Sequence, residues 1–281
     1  MEMTKGYFRA KGLIWSLDNK EAYTNSAVRS LSFGIQTDKD NTIFVQVGEW
    51  KNTSMNIKLK GGDMTEVETV NEQDSIGRIK ELFKDGDSVF LNLRAEVDTY
   101  NHKLKYLVNQ IYVENEPIDF ESKDFIETNE LNTPVVIIAP AADKKITVGM
   151  VNFKQEMLEV ELSLSDSDVN TYFTETVKVG DLVKVSIQVN RRPNYVEPEE
   201  VVEEPIEEVK DETRKTLKGK TIGGDAGKKS NKKKRSIDGY IESMEIIDVD
   251  TDKTEKGKYT LEEIDGVNEQ PEQFDDTQIP F

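Results

Sequence analysis

Cysteine does not occur in the 281 residues, and histidine occurs once, at His102. The first absence excludes a disulfide scaffold, a zinc ribbon and a cysteine nucleophile; the second argues against a histidine-based metal site or catalytic triad. Long apolar runs are missing as well. No stretch approaches the ~18 apolar residues that cross a bilayer, and the opening MEMTKGYFRAKG lacks the apolar segment of a secretion signal. Neither secretion nor a membrane partner is therefore expected. Positive charge is also in deficit, with 37 Lys and Arg against 55 Asp and Glu for a formal net charge of -18. A uniformly basic nucleic-acid binder is ruled out.

The charge is unevenly placed. Residues 1–118 carry 18 acids and 15 bases, and residues 119–195 carry 13 and 8. By contrast, 196–213 holds 9 acids and one base, 214–235 holds 10 bases and one acid, and 248–281 holds 11 acids and 3 bases. Neither 196–235 nor 251–281 has a sustained apolar period. Both are rich in Glu, Lys, Gly, Asp, Pro and Gln, so they cannot bury enough surface to offset chain entropy, and they read as disordered.

The remaining sequence reads as strands. Phe8, Ala10, Gly12 and Ile14 alternate with Tyr7, Arg9, Lys11, Leu13 and Trp15, and the same two-residue period recurs in 31–35, 43–47 and 89–97. Residues 104–113 make a last strand. Between the third and fourth strong strands, Ile76, Ile79, Leu82 and Phe83 lie at helical spacing. Three strands, a short helix and two strands match the order of the five-stranded OB-fold barrel. A domain over 1–118 is expected.

A second, interrupted OB-like barrel is expected over 119–247. Residues 146–153 and 157–164 read as a hairpin, and VKVGDLVKVSIQV echoes FKDGDSVFLNLRAEV. In each echo a Gly-Asp pair, Gly86-Asp87 or Gly180-Asp181, turns the chain into an alternating strand. The barrel would close through the strand near 238–249, after the insertion 196–235. TPVVIIAP is either the second unit's first strand or a strand connecting the two units. Residues 248–281 are expected to form an acidic tail.

The chain stops on Gln273-Phe274-Asp275-Asp276-Thr277-Gln278-Ile279-Pro280-Phe281. This ending resembles the acidic C-terminal tip of bacterial and phage single-stranded-DNA-binding proteins, whose chains end in a few Asp followed by Ile-Pro-Phe. Thr277 and Gln278 interrupt the acidic run, so the tip is less charged than the family's usual form. Phe281 offers an aromatic ring and a carboxylate on one residue, which suits an apolar pocket with Arg or Lys at its mouth. Pro280 pre-sets the backbone, Ile279 fills a second shallow pocket, and Asp275 and Asp276 steer encounter with basic surfaces. The resemblance implies a coat for single-stranded DNA in replication, recombination or repair. It further implies recruitment of a polymerase, helicase, primase or nuclease through the tip, assembly into homo-oligomers, and residence in the bacterial cytoplasm, or the host's if phage-encoded. Two domains and an insertion depart from the family's shorter chain and look more like a phage or mobile-element version.

Sequence-tolerant binding of a single strand needs flat π-surfaces and cations outside the barrel core. Strand parity selects Tyr7, Arg9, Lys11 and Trp15 on the first strand, Phe44 on the third with Trp50 and Lys51 just beyond it, and Phe90 and Arg94 on the fourth. Tyr100 and Lys103 would tip a hairpin beside His102, itself read as a solvated loop residue. The block Lys228 to Arg235 could clamp phosphates, fold back on acidic neighbours or act as a nuclear-import-like run, although nothing else in the sequence asks for a nucleus.

Catalytic and cofactor motifs do not assemble. Gly227-Lys228 and Gly219-Lys220-Thr221 lack the earlier glycine of a phosphate loop, which would fall at Ile222 or Arg214. Asp248-x-Asp250-x-Asp252 lacks the calcium loop's glycine and its twelfth-position Glu. A non-enzymatic protein without cofactor or metal is expected. An adaptor of a replication complex, using OB-like domains for protein contacts, is the alternative.

Overall fold

The computed structural model describes residues 1–24, 28–50, 56–196 and 236–268. The first barrel is built from β1 (Gly6–Trp15), β3 (Val28–Asp38), β4 (Asn41–Trp50), β7 (Ser88–Asp98) and β8 (Lys103–Val113). Strand β2 (Tyr23–Thr24) pairs on β3, and β5 (Asn56–Lys60) with β6 (Glu68–Asn71) forms a hairpin whose first strand runs parallel to β8. Going round the ring, β1 is antiparallel to β3, β3 to β4, β8 to β7 and β7 to β1, while β4 meets β8 in parallel at Gln46 and Leu107. The five strands close, which removes free edges. Inward residues at period two fill the interior: Phe8, Ala10 and Ile14, then Leu31, Phe33 and Ile35, then Ile43, Val45 and Val47, all buried. Helix α1 (Ser75–Leu82) inserts Ile76 and Ile79 beneath the barrel.

The second barrel repeats the plan with β9 (Asn129–Ile137), β10 (Lys145–Val151), β11 (Met157–Leu164), β12 (Leu182–Val196) and β13 (Ser236–Glu255). Here β9 pairs with β10 and β12, β10 with β11, β12 with β13, and β11 meets β13 in parallel at Ser163–Leu164 and Glu245–Ile246. Helix α2 (Ser167–Thr171), continued by a π-helical turn to Thr176, takes the place that α1 holds in the first barrel. The described residues are therefore all-β apart from short helices, and they form two OB-like barrels. TPVVIIAP supplies the second half of β9, the first strand of the second barrel, where Val136 and Ile137 pair with β10 and Thr133–Val136 with β12. The four residues before it, Asn129–Asn132, pair with Tyr7–Ala10 of β1 and make the connection between barrels. Buried residues of both barrels form one apolar cluster.

The Gly-Asp echo is a structural repeat. At Gly86 and Gly180 φ is +90°. Asp87 Oδ2 accepts from the Lys84 N–H and Asp181 Oδ2 from the Lys178 N–H, each at 2.9 Å. Gly86 N–H donates to the Ile14 carbonyl and Gly180 N–H to the Ile137 carbonyl, so each turn ties back to the end of its barrel's first strand. The two differ in surroundings. A Cβ on Gly86 would meet nothing, whereas one on Gly180 would stand 2.2 Å from the Tyr259 carbonyl oxygen. Gly86→Ala should thus cost only backbone strain, about 1–2 kcal/mol, and Gly180→Ala about 2–4 kcal/mol through strain plus a backbone clash. Urea unfolding of both variants checks the order; equal losses would contradict it.

Ordered structure extends beyond residue 248, where the sequence reads as the start of the disordered tail. Strand β13 continues to Glu255, and α3 (Leu261–Asn268) follows. The reason is local to the second Gly-Asp turn. Tyr259 N–H donates to the Gly180 carbonyl, Gly257 N–H to Asp181 Oδ1, and Tyr259 and Ile264 pack on Val136. Two apolar anchors five residues apart leave no period to read. The insertion 197–235 and the tip Asp275, Asp276, Ile279, Pro280 and Phe281 lie outside the described residues.

The chain divides into two compact units. Both barrels lie in one; the other spans 193–240, whose described parts are the strand ends 193–196 and 236–240. No helix among the described residues is long and apolar enough to cross a membrane.

Candidate nucleic-acid interface

The alternation of β1 puts Tyr7, Arg9 and Trp15 on the outer surface, opposite the buried Phe8, Ala10 and Ile14. Trp15, Gly34 and Phe44 are cross-strand neighbours in one row over β1, β3 and β4. The middle position has no side chain, and a Cβ there would stand 2.7 Å from Trp15 Cε3. The two flanking rings therefore lean together across it, with centroids 6.2 Å apart and planes at 55°. Trp15 is 50% exposed and Phe44 40%. Together they form a two-ring apolar platform on the barrel wall, facing water.

A cation from the second barrel completes the row. The Arg191 guanidinium carbon lies 4.8 Å from the Phe44 ring centroid, in cation–π range. Its Nε donates to Glu242 at 3.0 Å, and its backbone N–H donates to Asn41 Oδ1 at 2.8 Å. Asn41 is fully buried, and its amide also donates to the Val189 carbonyl and to Glu127 Oε1. Glu127 further accepts from Thr37, Gln188 and Arg192, and Arg192 pairs with Asp38 at 2.9 Å. This polar joint binds the β3–β4 turn to β12 and holds Arg191 over Phe44.

The other candidates gather on β1 and β7. Tyr7 stands between Arg94 and Asn132, Arg9 between Asn92 and Glu130, and Lys11 beside Phe90. Tyr7 is 64% exposed. Arg94 is engaged by Glu96 at 2.9 Å and Lys11 by Glu114 at 3.2 Å, so neither offers an uncommitted charge, while Arg9 is exposed. Phe90 is half-buried. Trp50 ends β4 with its backbone opposite Val28; its side chain and Lys51 lie outside the described residues. Parity thus found two clusters, Trp15 with Phe44 and Tyr7 with Arg94, but it missed Gly34 and Arg191. A glycine inside an alternating strand marks close approach of other groups, which was the available signal for Gly34. None existed for Arg191.

The β7–β8 turn carries Tyr100, 82% exposed, beside His102 at φ +50°. Asp98 braces it by accepting from the Asn101 backbone and side chain and from Lys105 at 2.6 Å. Burial raises the Asp98 carboxyl, but the hydrogen bonds from Lys105 and Asn101 outweigh it and hold the pKa at about 2, below the ordinary 3.8. A depressed folded-state pKa gives stability that is full above the unfolded value and lost as pH falls through the folded one. Asp98→Asn should therefore remove about 1–2 kcal/mol of stability at neutral pH, a difference that vanishes between pH 3.8 and about 2. Unfolding midpoints measured across that window check it.

Thr99 Oγ1 donates to Glu156 at 2.7 Å, joining this turn to the β10–β11 turn, where Lys154 lies over the exposed Phe153 ring.

Residues 7–278 match the family model described as YorF. Among solved structures, the chain is similar to a deletion mutant of the single-stranded DNA binding protein from Thermus aquaticus, with 11% identity and a TM-score of 0.38 over 70% of this chain and 98% of that one. For the wild-type protein from the same organism the identity is 9% and the TM-score 0.36, over 67% and 85%. No curated protein matches.

Proposed function

The chain belongs to the YorF family, and we propose that it is a non-enzymatic single-stranded-DNA-binding protein. The observation that carries this reading is the exposed Trp15–Phe44 platform over Gly34, capped by Arg191, on the wall of an OB-like barrel. Bases of any identity stack on such rings, because every base has a π-face. Tyr7 and Arg9 extend the surface along β1, with Lys11, Phe90 and Arg94 beside them as its border, and Trp50 and Lys51 follow Phe44 in the chain. The acidic block 196–213 and the tail 248–281 each carry -8, whereas residues 1–118 carry only -3, so the binding unit itself is nearly neutral. Its phosphate attraction is therefore local and salt-sensitive.

The ending Asp275-Asp276-Thr277-Gln278-Ile279-Pro280-Phe281 supports a second role, recruitment of replication, recombination or repair enzymes in the bacterial or host cytoplasm. Titration with poly-dT, followed by tryptophan fluorescence, tests the first role. Quenching with a midpoint that weakens as salt rises supports it. Absence of any change at low salt, with the protein folded, overturns it in favour of a protein-binding adaptor.

A further inference from the structure

Resting on the strand-binding reading, we propose that the cleft between the two barrels is a seat for one unstacked nucleobase of the bound strand. The cleft has a volume of about 610 Å³, within the range of about 300–1,000 Å³ that holds small-molecule-sized ligands. One wall comes from β4 and β8 of the first barrel, the other from β11, β12 and β13 of the second.

Three observations select a base over a phosphate. The first is charge. Lys103, Lys105 and Arg191 in the lining are matched by Glu159, Glu161 and Glu242, so the cleft as a whole has no surplus attraction for an anion. The second is continuity with the platform. Phe44 belongs both to the Trp15 row and to the cleft lining, and Arg191 covers its ring at 4.8 Å. A base leaving the platform at this edge meets an aromatic face and a guanidinium plane, both of which stack. The third is an unpaired group. Asn190 lines the cleft, and its buried Oδ1 has no hydrogen-bond partner among the described residues. A carboxamide presents an acceptor and a donor side by side, the pattern that complements the edge of a base. The Tyr106 phenol lines the same space; burial first, and then the Glu242 charge, raise its pKa above the ordinary value, so it stays protonated and able to donate.

The seat gives the second barrel a part in binding and gives the protein a mild base preference that stacking alone does not produce. The test uses the full chain and end-labelled oligo-dT, oligo-dC and oligo-dA, with affinities read by anisotropy. Wild type is expected to rank the three unequally. Asn190→Ala should weaken the preferred oligomer about 5- to 10-fold and bring the three together. Asn190→Leu, which keeps the branched shape and removes both hydrogen-bonding groups without adding a charge, should do the same, and an unchanged melting temperature guards against a folding defect. Arg191→Lys, retaining charge without the stacking plane, should weaken all three. If the Asn190 and Arg191 variants stay within twofold of wild type on every oligomer while Trp15→Ala weakens binding, the cleft holds no base and the platform reading stands. If folded wild type binds none of the oligomers, the strand-binding reading itself falls.

Discussion

Trp15→Ala is expected to weaken binding of oligo-dT by about 10- to 100-fold, the loss of roughly one base–aromatic stack. Trp15 is half exposed and sits on a surface row, so its removal leaves the barrel core intact and the melting temperature close to wild type. Phe44→Ala should cost less in stacking but also removes the ring on which Arg191 rests. The double variant should lose less than the sum of the two single losses, because rings 6.2 Å apart share neighbouring bases. Salt separates this effect from electrostatics. Trp15→Ala should leave the dependence of log K on log salt unchanged, whereas Arg9→Ala should reduce its slope by about 0.7, the value for one lost phosphate contact on a single strand. Unaltered affinity in Trp15→Ala would remove the platform from the binding surface.

Asn41→Ala should destabilise the protein by about 2–4 kcal/mol, a larger effect than its polar side chain suggests. Asn41 is fully buried, and truncation strips partners from the Arg191 N–H, the Val189 carbonyl and Glu127 Oε1 together. Three hydrogen bonds and the packing of a fully buried side chain are lost at once, so the loss exceeds what deleting one surface hydrogen bond would give. Because the same contacts fix β12 against the β3–β4 turn, the variant should also weaken oligonucleotide binding at a temperature where it remains folded. Thermal unfolding and anisotropy on the same sample check both parts. A variant as stable as wild type would show that the joint is dispensable.

Much of the fold was legible because it follows from local periods. Alternation in 6–15, 31–35, 43–47 and 89–97 gives strands whose buried faces are those read from parity, and the helical spacing of Ile76 and Ile79 gives α1. The hairpin β5–β6 escaped notice because its strands are short, with only Ile57 and Leu59 fully buried. Helix α2 escaped because only Val169 on it is buried. Tyr259 and Ile264 were hidden by the acidic composition around them.

The same division runs through the candidate site. The sequence by itself determined which side chains leave the barrel wall, since period two assigns each residue of a strand to one face whatever its neighbours are. It also determined the repeat of the Gly-Asp turn, whose dihedral demand and side-chain cap lie within four residues. Which strands become neighbours was decided only by the tertiary structure. Pairing of β1 with β9, the meeting of Trp15 and Phe44 across Gly34, and the placing of Arg191 over Phe44 join residues distant in the chain. Such pairings are fixed by ring closure and by burial of one shared core, and no local period carries that information.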